Sequence, residues 1–136
     1  MPVSFWIKLY LLTVPLFFAI DILWLGVIAR GFYQNQLQRF LAPQVNWGAA
    51  LVFYLLYIGG ILLFAVNPAI QANSVARAAT LGALFGFFTY ATYDLTNLAT
   101  LDRWPIKVVV VDMAWGSVLC ALVAVGSYLI GQRLSS

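Results

Sequence analysis

The chain has 136 residues, of which 64% are hydrophobic and 8% charged, against roughly 25% charged residues in a soluble domain, so a water-facing exterior is excluded. Its net charge of +3 is spread over the connections between apolar runs, with no basic cluster interleaved with aromatics, and nucleic-acid binding is set aside. Without a histidine and with one cysteine, Cys120, the chain has no His-ligated haem, His-rich di-iron site, His-based zinc or intramolecular disulfide; no cofactor is expected.

The first apolar segment runs from about Phe5 to Ala29. Its weak positive region and the lack of a small-x-small cleavage site make it a retained span rather than a signal peptide. Pro15 predicts a kink in it. The connection from Arg30 to Asn46 places Tyr33, Leu37, Phe40 and Leu41 at helical spacing, with Gln34, Asn35, Gln38 and Arg39 between them. That pattern predicts either a short interfacial amphipathic helix stopped by Pro43 or a solvated loop.

A second span is predicted from about Trp47 to Val66, ended by Asn67-Pro68. The third runs from about Val75 to Thr100, with Ser74 as its cap. The fourth runs from about Ile106 to Ile130, with Pro105 in its first turn. Trp6, Trp47 and Trp104 fall at expected interfaces. Each segment reaches the roughly 20 residues that a bilayer requires. The expected fold is all-α: one transmembrane domain over residues 1–136, a polytopic four-helix bundle with both ends on one side. Lys8, Arg77 and Arg133 on that side nearly balance Arg30, Arg39, Arg103 and Lys107 on the other, so charge does not set the orientation.

Three of the four acidic residues, Asp21, Asp94 and Asp112, interrupt apolar segments; Asp102 lies in a loop. A carboxylate at the centre of a span costs about 2.5–3.5 kcal/mol on insertion, so each marks a candidate site. Counting from the ends of their helices, all three fall roughly 10–14 Å from the face that carries the first and third connections. Tyr90, Tyr93, Asp94 and Asn97 share one helix face, and Thr89 and Thr96 flank them. The pattern Asp-x-x-Trp occurs twice, as Asp21/Trp24 and Asp112/Trp115, on helices of opposite direction. This hints at an inverted arrangement of the kind small transporters use. Ala78, Gly82 and Gly86 form a small-residue ridge on the third span, and Gly116, Cys120 and Ala124 form one on the fourth.

Three carboxylates in a low-dielectric layer cannot all be ionised without cations. They are protonated and hydrogen-bonded, or bind a metal ion, or line an aromatic-walled cavity for a cationic or polar ligand. The candidate ligand-binding residues are Asp21, Trp24, Tyr90, Tyr93, Asp94, Asn97, Asp112 and Trp115. None is assigned a catalytic or metal-ligating role.

The run YDLTNLATLDRWP (Tyr93–Pro105), the run VVVDMAWGSVL (Val109–Leu119) and the segment DILWLG (Asp21–Gly26) together resemble the DUF2177 family of small bacterial membrane proteins. The resemblance covers nearly the whole chain. It implies a four-span protein of the bacterial inner membrane and an association with genes of fatty-acid modification, and it brings no established activity.

Three readings follow. The first is a transporter or ligand-binding protein using the three acids for a proton, cation or polar ligand; so short a chain would form its pathway as a dimer. The second is a membrane enzyme acting on a lipid through an aspartate base or Mg²⁺, against which stand the missing His, Ser-nucleophile and DDxxD-type motifs. The third is a structural subunit of a larger membrane complex. The lipid bilayer is the partner common to all three.

Overall fold

In the computed structural model, which describes residues 1–136, the first helix, α1, spans Val3–Leu23 and continues through a π-helical turn at Trp24–Ile28. A short helix, α2 (Arg30–Leu37), follows and tightens into a 3₁₀ turn at Gln38–Phe40. Helix α3 (Trp47–Ile61) passes through a second π turn at Leu62–Val66 into α4 (Asn67–Ala72). Two long helices complete the chain, α5 (Val75–Thr100) and α6 (Ile106–Ser135).

Three stretches are long and apolar enough to cross a membrane: residues Val3–Ile28, Trp47–Ala72 and Ile106–Ser135. Helix α5 has 26 residues and is long enough, but its Thr, Tyr, Asp and Asn residues leave it less apolar. The outward faces of the long helices carry Ile7, Leu11, Ile22, Leu63, Phe88 and Leu129, all exposed, which suits contact with lipid.

The caps follow sequence chemistry. The Asn46 side chain accepts from the Ala49 N–H at 3.1 Å to start α3. Ser74 accepts from the Arg77 N–H at 3.1 Å to start α5, as its position predicts. Pro105 sits one residue earlier than expected, as the extended N-cap of α6.

The expected stop at Asn67-Pro68 does not occur: the helix runs on to Ala72. Pro68 falls in the first turn of α4, directly after the π turn, where its missing N–H and its ring fit. Asn73 ends the helix instead, in the left-handed region at φ 53°. Its side-chain oxygen accepts from Gln132 Nε2 at 3.1 Å, which ties this turn to α6.

Helix α6 is the centre of the packing, with α1 on one side and α5 on the other. On α1 the buried residues Phe5, Leu9, Thr13, Phe17 and Asp21 recur every four positions, one row of a helix surface. Phe5 and Leu9 approach Gly131, and the Thr13 and Ser127 hydroxyls share a hydrogen bond of 2.8 Å. On α5 the buried row is Ala78, Gly82, Gly86 and Asp94, with half-buried Tyr90 completing the four-residue spacing. It lies against Gly116, Cys120 and Ala124 of α6. A methyl group added at Gly86 would meet the Gly116 carbonyl oxygen, and one at Gly82 would lie 2.5 Å from the Cys120 carbonyl oxygen. The two small-residue ridges therefore face each other, and helix backbones touch there.

Helix α3 behaves differently. From Tyr57 onward it is buried, but most of its first half, from Trp47 to Leu56, is exposed. That exposed half lies at the end of the bundle where the acids lie.

Candidate functional site

The facing ridges of α5 and α6 carry the site's register. One four-residue step beyond Tyr90 is Asp94; one step before Gly116 is Asp112. Antiparallel packing in this register sets the two carboxyls side by side, with the Trp104 indole next to Asp94. Asp94 is 0% exposed and Trp104 is 5% exposed. Neither Asp94 oxygen nor the Trp104 Nε1 atom has a hydrogen-bond partner.

Trp104, at the start of the last helix, is thus buried within the protein rather than open to its surroundings. Phe40 packs on it at 5.0 Å and Tyr93 edge-on at 5.9 Å, which closes it off. The half-buried Phe32, Tyr33, Leu37 and Phe40 all pack against the cluster of Trp104, Val108 and Val109. Gln34, Asn35, Gln38 and Arg39 face outward. So the predicted amphipathic helix forms, and its apolar side lies on the start of α6; Leu41 alone of that side is exposed. Arg39 and Arg103 hold Asp102 at 3.6 and 3.4 Å, all on the exposed surface, joining the first connection to the third.

The two Asp-x-x-Trp patterns meet across the α1–α6 contact. Trp24 and Trp115 stack with ring centres 4.5 Å apart and planes 10° from parallel. Each indole serves the acid of the other pattern. Trp115 Nε1 donates to Asp21 Oδ1 at 3.4 Å. Trp24 Nε1 donates to the Tyr33 hydroxyl at 3.2 Å, and Tyr33 donates in turn to Asp112 Oδ1 at 2.8 Å. The π turn beginning at Trp24 ends helix α1 at this stack; such irregular turns often lie at functional sites.

Beside the exposed half of α3, a cavity of about 380 Å³ opens between α1, α3, α5 and α6. Asp21 and Asp112 supply its acids; Tyr54, Tyr57, Tyr90, Tyr93 and Trp115 supply aromatic walls. Of the eight candidate residues, five line this space: Asp21, Tyr90, Tyr93, Asp112 and Trp115. Trp24 stands behind Trp115, and Asp94 lies behind Asp112. Asn97 lies beside Tyr93, outside the cavity wall. No group of three or more His, Cys, Asp or Glu side chains is placed to hold a metal ion.

The sequence reading missed three contributors. Phe53, Tyr54 and Tyr57 of α3 line the cavity, and Tyr57 bonds to Thr89 at 2.8 Å. The available signal was two tyrosines three residues apart inside an otherwise apolar run, since a buried phenol needs a partner. Tyr33 was read only as part of an apolar face, and its hydroxyl is what reaches Asp112.

A chain of long apolar helices with no strand is a multi-pass helical membrane protein. The model of the family described as "Predicted membrane protein (DUF2177)" matches residues 6–129, and the chain belongs to that family. Neither a curated protein nor a solved structure matches it.

Proposed function

We propose that the protein spans the membrane four times, with α5 as the third span, and binds a small organic cation in the acid-and-aromatic cavity. Support for the fourth span is that α5 packs along α6 from Ala78 to Asp94 and exposes Leu84, Phe87, Phe88 and Leu95.

The observation that carries the ligand class is the lining itself: two carboxyls and six aromatic side chains around about 380 Å³, with no Lys or Arg among them. That volume is in the range of small-molecule pockets. Aromatic faces attract a desolvated cation by up to about 2 kcal/mol, and an acid in a low-dielectric layer needs a positive partner. An anion would meet repulsion here, and a neutral apolar ligand would leave the acids unpaired.

The test is calorimetric binding of tetraethylammonium to the purified protein in lipid nanodiscs. Wild type binds. Asp21→Asn and Asp112→Asn each weaken binding roughly 30-fold, as expected for losing about 2 kcal/mol of charge pairing. Unchanged affinity in both variants, or no binding by wild type, overturns the reading.

A further inference from the structure

We infer that the Asp94–Asp112 pair holds one proton, and that a cation entering the cavity displaces it. This rests on the cavity being a cation site.

The pair forms where the two ridges of α5 and α6 continue past their glycines. Asp94 is sealed from solvent, and both of its oxygens lack donors. Trp104, also sealed, aims an unpartnered Nε1 at the same place. A buried carboxylate with no donor is costly enough that the arrangement lacks a component. A proton between the two carboxyls is that component. It turns one acid into a donor for the other and leaves the remaining Asp94 oxygen for the Trp104 N–H.

The groups facing the pair contain no cation. Tyr33 approaches from α2, Tyr90 and Tyr93 from α5, and Asp21 from α1. Arg103 and Lys107, the basic residues that precede Asp112 in the chain, are exposed, and Arg103 is held by Asp102. Nothing fixed in the protein can therefore balance two negative charges on the pair.

Asp112 belongs to both halves of the device. One side meets Asp94, and the other lines the cavity. When a monovalent cation reaches Asp112, the proton leaves for water and the pair becomes doubly ionised. One positive charge has entered and one has left, so the charge of the buried layer is unchanged. The cation's charge beside Asp112 lowers the proton affinity of both carboxyls, and that drives the proton out. Asp94 acts as a positioning residue: it never touches the cation, and it determines whether a proton is there to be displaced.

Tetraethylammonium has no ionisable proton, so any proton released on binding comes from the protein. Binding is measured in buffers of differing ionisation enthalpy and across pH. Wild type releases close to one proton per cation, and Kd falls about tenfold per pH unit through the range in which the pair is protonated. Asp94→Asn keeps the amide as a donor to Asp112, binds the cation, and shows neither proton release nor pH dependence. Binding by wild type without proton release overturns the exchange and leaves the cation site standing. Absence of binding overturns both. Because the wild-type measurement alone decides the exchange, a poorly folded variant does not rescue it.

Discussion

Asp112 is touched from three sides: by the Tyr33 hydroxyl at 2.8 Å, by the Asp94 carboxyl, and by the cavity. Its bond to Tyr33 differs in kind from a neutral interhelical contact such as that of Thr13 with Ser127. A neutral hydrogen bond between helices in lipid averages only about 0.6 kcal/mol, whereas one to a charged group is worth about 1.5–3 kcal/mol. Tyr33→Phe should therefore lower the unfolding free energy, measured by denaturation in mixed micelles, roughly 2.5- to 5-fold more than Thr13→Val does. Equal losses would mean that Asp112 accepts no charge-assisted bond. At this scale the sequence was informative about acids, which are improbable in lipid wherever they stand. It was less so for Tyr33 and Trp104, because an aromatic at a span end has an ordinary interfacial use and its partner lies on a distant segment.

The four-residue rows carry most of the architecture at the level of the helix. Small residues on α5 and α6 are legible because glycine and alanine have few reasons to recur every fourth position. Continuing the rows past the glycines reaches Tyr90 and Asp94 on one helix and Asp112 on the other. Helix α3 carries only Tyr54 and Tyr57 as a mark of its cavity side: the rest of its run is apolar on every face, so the exposure of its first half was not readable. Pro68 misled for a related reason, since a π turn can deliver the chain into a proline without ending the helix. Gly86→Ala drives a methyl into the Gly116 carbonyl and should destabilise by about 1–3 kcal/mol, as overpacking does. Gly31→Ala has nothing within 4 Å of the new methyl and should stay within about 0.5 kcal/mol of wild type. Equal stability of the two variants would refute the close α5–α6 contact.

The molecule as a whole follows an up-and-down path in which α1 and α5 run one way and α3 and α6 the other. Whether α5 crosses the membrane is decided by the sidedness of its ends. In a background with Cys120→Ala, labels at Asn73→Cys and Asp102→Cys should react from opposite faces. Ser136→Cys should share the face of Asn73, and Gln44→Cys that of Asp102. Reaction of positions 73 and 102 from one face would leave three spans. Membrane residence was readable from composition alone, and the all-helical class with it. Composition marks α5 less clearly as a span, because the residues that make it a wall of the cavity also reduce its apolar character.

The central position of α6 also bears on how the protein is made. Asp21 meets Trp115, and Asp94 meets Asp112, so both acids depend on a helix synthesised after their own. Until α6 has been made, Asp21 and Asp94 lack those partners, and the row of Ala78, Gly82 and Gly86 on α5 lacks the surface it packs on. A chain that stops before α6 is therefore expected to be a better target for membrane quality-control proteases than the whole.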